Sequence, residues 1–159
     1  MSGTVGQVGA RSGIVGPTDS TQLDYEEGSW TPAIIGSTSE SGQVYITGET
    51  KGKYVKIGKI VHCMFRVKFS SEGTFNGTYL LLDGLPFTIT SSPTVVSGGN
   101  LYFESLGVDV ISVGLQFYQG DNKAYLWAVK EAATSRVYLA SNDLGNSTTL
   151  STQLTYISN

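Results

Sequence analysis

KYVKIGKIVHCMFRVKF, residues 53–69, decides the fold class of this chain. Its second half alternates without a break. Val61, Cys63, Phe65, Val67 and Phe69 fall on one side of an extended strand, and Ile60, His62, Met64, Arg66 and Lys68 on the other. Gly58-Lys59 reads as a two-residue turn with glycine first, the pattern of a type II′ hairpin. That turn pairs Ile57 with Ile60 and Tyr54 with Cys63. Tyr54 then joins the core side, while Val55, Ile57, Ile60 and Met64 gather on the opposite one. A simple two-layer sandwich leaves that second side wet, so four apolar residues there predict a covering surface. TYLLLDGLPF, residues 78–87, is also apolar on both faces. Exposed patches of this kind mark interfaces. The expectation is a homo-oligomer whose contact uses Val55, Ile57, Ile60 and Met64; a fully internal sheet is the alternative.

Further strands are expected at 108–119, 123–130, 136–140 and 148–158, with frequent turns between them and no helix of three turns anywhere. This pattern predicts an all-β protein, an antiparallel β-sandwich of jelly-roll type. A length of 159 residues fits one domain, which can bury roughly 70% of the surface its extended chain exposes. Only 14% of residues are charged and 20 are glycine, a composition suited to short strands and turns. Residues 1–22, with Gly at 3, 6, 9, 13 and 16, form no amphipathic element. They read as an extended leader or the end of a stalk, with the sandwich spanning 23–159.

Several function classes are disfavoured at once. The net charge is −3, and the 10 Lys and Arg residues form no cluster, so a polyphosphate backbone has no electrostatic footprint to meet. No run reaches the ~18 apolar residues a membrane-spanning helix needs, and no secretion signal is expected from the first residues. A single cysteine, Cys63, leaves no internal disulfide and no thiolate metal cage. No phosphate loop, dinucleotide fingerprint or nucleophile elbow occurs. No cofactor and no metal is expected.

LDYEEGSWTP (23–32), KGKYVKIGKIV (51–61), LDGLPFT (82–88) and TQLTYIS (152–158) occur in that order. Together they resemble the C-terminal domain of bacteriophage tail fibres and tailspikes, over about residues 21–159. The motif residues are Asp24–Pro32, Gly52–Val61 and Gly84–Phe87. The resemblance implies a β-sandwich assembled as a homotrimer at the fibre tip, part of the virion, with a role in attachment to bacterial surface sugars.

Asp24, Glu26 and Glu27 raise the question of catalysis. Adjacent Glu26 and Glu27 point to opposite sides of an extended chain, so they cannot converge on one bond, and glycoside hydrolysis needs two carboxyls facing each other ~5–9.5 Å apart. A calcium loop would need more oxygen ligands at regular spacing. The segment reads as the entry into the sandwich, with Trp30 as an anchor and the acids bonding backbone amides or a neighbouring chain's Lys. Asp24 and Glu26 as ion ligands are a minor alternative. His62 and Cys63 face opposite ways, so they cannot act as base and nucleophile. Cys63 reads as a small buried hydrophobe and His62 as a surface or interface residue. No catalytic residue is assigned.

The most informative candidate is the hairpin LQFYQGDNKAYLW, 115–127. Ile111, Val113, Leu115 and Phe117 are expected inward, leaving Gln116 and Tyr118 outward. A two-residue turn at Gly120-Asp121 or at Asp121-Asn122 puts Tyr125 and Trp127 on the outward face with Tyr118; a three-residue loop turns them inward. Exposed rings with short polar neighbours suit sugars, because rings stack on C–H faces while polar groups bond hydroxyls. The candidate carbohydrate-binding residues are therefore Tyr118, Asp121, Asn122, Tyr125 and Trp127; the alternative is that these rings pack in an interface or the core. Polar loops at 98–100 and 141–147, with Asn142, Asp143 and Asn146, are further plausible contacts. The function expected is a non-catalytic receptor-binding domain for surface polysaccharide. A ligand-free trimerisation or capping domain is the alternative, and a polysaccharide depolymerase comes last.

Overall fold

The structure, a computed structural model, describes residues 24–91, 97–131 and 133–159; the leader expected at 1–22 lies outside them. Among the described residues thirteen strands follow one another: β1 (Tyr25–Trp30), β2 (Ala33–Gly36), β3 (Ser39–Ser41), β4 (Val44–Tyr45), β5 (Lys51–Ile57), β6 (Ile60–Ser71), β7 (Thr74–Asn76), β8 (Leu80–Asp83), β9 (Ser97–Glu104), β10 (Val110–Phe117), β11 (Ala124–Lys130), β12 (Val137–Tyr138) and β13 (Thr149–Ile157). The chain is all-β, about 59% strand, with antiparallel sheets curled into a half-barrel. The strand path is β1-β5-β6-β13-β9-β10-β11-β8-β2, with β12 on β11 and β4 on β6; β3 and β7 form a separate pair. No helix among the described residues is long and apolar enough to cross a membrane.

The hairpin that opened the sequence reading has the expected register. Ile57 faces Ile60 and Tyr54 faces Cys63, and Gly58 takes φ +57°, a conformation that costs glycine little because it has no Cβ. Val61, Cys63, Phe65, Val67 and Phe69 are all buried. β13 lies along β6 over nine residue pairs, from Thr149↔Lys68 to Ile157↔Ile60, and adds Leu150, Leu154 and Tyr156 to the same core. The Tyr156 hydroxyl donates to Phe87 O at 3.0 Å and accepts the Phe87 N–H at 3.1 Å, tying the GLPF segment to the sheet.

β9 belongs to both halves of the curl. Near its end Phe103 and Tyr102 pair with Leu150 and Ser151 of β13, and earlier Leu101, Asn100 and Gly99 pair with Val113, Gly114 and Leu115 of β10. Residues 98–100, expected as a polar loop, are therefore inside a strand; their glycines mislead because glycine is depleted in strands but not barred from them. The outer half continues through β11, β8 and β2, and brings Leu115, Phe117, Leu126, Leu82 and Ile34 to the shared core. Ile111 departs from its expected inward position. The β10–β11 register shifts between Val110 and Ser112, so a bulge turns Ile111 out and leaves it 65% exposed.

The apolar residues on second faces have two fates. Leu81 faces Tyr125 on the outer side of β8, yet it is buried within the chain, so the TYLLLDGLPF stretch satisfies both its faces internally. Ile57, Ile60 and Met64 stay 44%, 51% and 50% exposed, and Val55 is half-buried.

Burial also sets the chemistry of the one cysteine. It pushes the Cys63 thiol from 9.0 up to about 12. An unfolded chain ionises this thiol near its ordinary value, whereas the folded chain keeps it neutral until about 12. The stability this contributes is intact below about pH 9 and drains away as the pH rises towards 12. Native protein at pH 8 is expected to resist an aromatic disulfide reagent that labels the urea-unfolded chain at once. Above pH 9 the urea midpoint should fall more steeply for the native sequence than for Cys63→Ala. Rapid labelling of native protein would contradict this account.

Candidate functional site

The β10–β11 hairpin places the outward aromatic residues. Phe117 pairs with Ala124 and Gln116 with Tyr125, and Tyr118 N–H donates to Lys123 O at 2.9 Å. This is the register of a turn centred on Gly120-Asp121, one of the two even-numbered choices, so Tyr118, Tyr125 and Trp127 face outward as expected. The connection itself is wider than two residues. Gln119–Asn122 open because another segment takes over their backbone groups: Gly120 N–H donates to Ile89 O at 3.0 Å, Ile89 N–H to Asp121 O at 2.8 Å, and Leu85 N–H to Asn122 O at 3.0 Å. The tip is thus docked on the chain that follows GLPF.

Five rings meet on this outer face. Tyr125 is central: Tyr118 stacks on it at 5.0 Å and 30°, Tyr138 lies against it at 5.0 Å and 33°, and Tyr79 approaches edge-on at 5.1 Å. Tyr79 and Tyr138 are 5.9 Å apart. Burial, and then the neighbouring Tyr118 and Tyr79, push the Tyr125 phenol upward, so it stays a neutral hydrogen-bonding group across ordinary pH. Tyr118 and Tyr138, on either side of Tyr125, keep 37% and 41% of their surface exposed. The rings largely turn their faces on one another. Ring-face stacking on a sugar is therefore available mainly at the ends of the column.

Trp127, the fifth ring, lies flat over the sheet. Its indole covers Gly114, where an added Cβ would come within 2.2 Å of it; only glycine fits under the ring. The Arg136 guanidinium lies over both Trp127 and Tyr138, 5.9 and 5.7 Å from their ring centres. Such contacts are worth about 0.5–1 kcal/mol at exposed sites, enough to bias the arginine towards this position. Trp127 thus carries Arg136 rather than offering that ring face to a ligand. The Tyr138 hydroxyl is 3.2 Å from Gln116 Oε1 and donates to it. A cleft of about 300 Å³, lined by Gln116, Phe117, Tyr118, Gln119 and Tyr125, borders the Tyr118 end.

Asp121 and Asn122 sit at the hairpin tip with much of their polarity already engaged. Asp121 accepts the Lys123 ammonium at 3.0 Å and the Asn122 N–H at 2.7 Å. Burial works against its carboxylate, but those two donors outweigh it and hold the group below its usual range. Lys123 is raised, first by its bond to Asp121 and also by Asp83 and Tyr118 nearby, which puts the pair beside the Tyr118 end of the column. Asp143 has a structural role: it is buried, its carboxylate takes Lys130 Nζ at 2.8 Å and the Ala140 N–H at 2.9 Å, and it is held in a short 3-10 turn. Asn146 Oδ1 accepts the Glu72 N–H.

The reading from sequence missed Tyr79, Tyr138 and Arg136. Tyr138 is half of a two-residue strand whose Cα partner is Trp127, and the next residue, Leu139, bridges outward: its N–H donates to Leu126 O and its carbonyl accepts Leu80 N–H. One signal was present. Buried Leu139 fixes the parity of RVYLA, and that parity puts Arg136 and Tyr138 on the outer side together.

The acids of the entry segment bond side chains of their own chain. Asp24 pairs with Lys56 at 2.8 Å, Glu26 takes the Tyr54 hydroxyl at 2.6 Å and Glu27 the Tyr25 hydroxyl at 2.6 Å. The β1–β5 register, with Glu26 opposite Lys56, brings these partners into reach. Trp30 is buried edge-on against Phe65 at 5.8 Å, the anchor expected of it. His62 is half-exposed and bonded to Thr155 Oγ1 at 2.9 Å. Among the described residues no three His, Cys, Asp or Glu side chains converge.

On the other half of the curl, Tyr25, Ile57, Ile60 and Ile157 line up as one cross-strand row over β1, β5, β6 and β13. All four are exposed. Comparisons of the chain with protein-family models, curated proteins and solved structures give no match.

Proposed function

We propose that this chain is a non-catalytic, carbohydrate-binding attachment domain of a phage tail fibre or tailspike, acting at the fibre tip on bacterial surface polysaccharide. The observation that carries the reading is the outward cluster of Tyr118, Tyr125, Tyr138, Trp127, Gln116 and Arg136, which combines ring surface with hydroxyl, amide and guanidinium groups. Sugar sites combine those elements, because each hydroxyl exchanges a water bond for a protein bond at little net gain and the ring contact adds the surplus. The motifs at Asp24–Pro32, Gly52–Val61 and Gly84–Phe87 agree with the same setting. In this reading the curled sheet is a jelly-roll-like sandwich, with β1-β5-β6-β13 as one layer and β10-β11-β8-β2 as the other. A glycan array probed with the full chain tests it: sugar-dependent signal that depends on the ring cluster supports it, and silence on bacterial surface glycans counts against it.

A second reading, a trimerisation or capping domain without a ligand, is favoured by the apolar row Tyr25–Ile57–Ile60–Ile157. Both roles fit a homotrimer that seats this row between copies, and three weak sugar sites on one tip then gain avidity through effective concentration. Light scattering at micromolar concentration is expected to give three times the chain mass for the native sequence and a single chain for Ile60→Glu, which places a charge in the contact. A native monomer, or a variant that assembles unchanged, would remove the row from the interface.

A further inference from the structure

We propose that the ring cluster is specific for anionic saccharides, with Arg136 receiving an oxyanion carried on the sugar, a hexuronate carboxylate or a sugar phosphate. This rests on the carbohydrate reading of the same face. Arg136 is exposed, and among the described residues no carboxylate lies within ion-pair distance of it, whereas Arg66, the other described arginine, pairs with Glu49. The guanidinium nonetheless has a preferred place, over the neighbouring rings of Trp127 and Tyr138. A positioned guanidinium with open donors matches the two oxygens of a carboxylate or phosphate. Because the rings already restrict the side chain, less freedom is lost when an anion binds. Its neighbours also suit an oxyanion. The Tyr138 phenol stands beside the guanidinium, and its donor is directed to Gln116, which it can exchange for a ligand oxygen. Gly114 adds a requirement for precision: it lets Trp127 lie against the sheet and so sets the height of Arg136. With a net charge of −3 the chain has no general attraction for polyanions, so a preference calls for a local cation; Lys123, the other cation beside the column, is already paired with Asp121.

The test uses the full 159-residue chain on a panel of hexuronate-containing oligosaccharides, each printed beside its carboxyl-reduced counterpart, and phosphate-bearing oligosaccharides beside their dephosphorylated forms. The expected result is at least about tenfold tighter binding to the charged member of a pair, equivalent to about 1.4 kcal/mol. Which set responds identifies the oxyanion. Arg136→Gln should bring the ratio down to about one, and Arg136→Lys, which keeps the charge but lacks the two-pronged donor geometry, should leave a smaller preference. Equal binding to charged and neutral members by the native chain overturns the anion proposal while the saccharide reading stands. A preference that survives Arg136→Gln overturns the assignment to this arginine. Silence across the whole panel overturns both readings.

Discussion

Phe69→Ala is expected to lower the unfolding free energy by about 3–5 kcal/mol, the range for a buried phenylalanine truncated in a core. Phe69 is fully buried at the end of the inward row of β6. Tyr45 lies 4.9 Å from its ring and Phe75 6.2 Å, edge-on, so it joins β4, β6 and the β3–β7 pair. Its backbone cannot retreat to close the cavity, because Phe69 N–H donates to Thr148 O at 3.0 Å and Tyr45 is its cross-strand partner. Domains hold only about 5–15 kcal/mol in reserve, so the variant should melt roughly 6–20 °C lower, taking about 2–4 °C per kcal/mol for this size. Ser70→Ala, on the exposed side of the same strand and outside the apolar row, is the matched control and should stay within about 0.5 kcal/mol. Urea titration read by tryptophan fluorescence measures both. A loss under about 1 kcal/mol for Phe69→Ala would mean that the curl does not enclose a single packed core.

Tyr125→Ala should weaken saccharide binding about 30-fold or more, the effect of removing a central interface residue worth at least ~2 kcal/mol. Tyr125 holds the column together, touching Tyr79, Tyr118 and Tyr138; without it Tyr118 loses its stacking partner and Tyr138 loses one face contact. Its flanking residues Ala124 and Leu126 are buried on the other face, so the fold should survive the change with a melting shift well short of that of Phe69→Ala. Tyr125→Phe separates ring from hydroxyl: it should retain the column and lose only the hydrogen bonds of one phenol, about 0.5–1.5 kcal/mol. Calorimetry on the oligosaccharide selected by the array, with melting curves alongside, gives the comparison. Full affinity in Tyr125→Ala would take the column out of the site.

What could be read from the sequence was what local geometry determines. The β5–β6 hairpin has an unbroken alternation and a glycine-first turn, and both act over a few residues. Its register and its buried row followed directly. The β10–β11 hairpin was legible as a hairpin, but two- and three-residue loops put Tyr125 and Trp127 on opposite faces, and only the strand register decides between them. Ile111 was misplaced because a bulge costs one residue of register and leaves no mark in composition. Residues 98–100 looked like a loop because two glycines and an asparagine look alike in a turn and in a strand that bends. The ring column was visible only in part. Tyr118 and Tyr125 belong to one hairpin, but Tyr79 and Tyr138 reach them through pairings between β8, β11 and β12 that no local pattern encodes. The two-sided apolar stretch at 78–87 shows the same limit: sequence identifies a covered face without saying whether the cover comes from the same chain.

Since β9 hydrogen-bonds to β13 with one end and to β10 with the other, the half bearing the ring column and the half bearing the apolar row have no seam between them. Detaching either one strips a flank from the same strand and opens the common interior to water. The apolar row and the ring column are thus carried on one continuous hydrogen-bonded backbone, through the strand that both halves share.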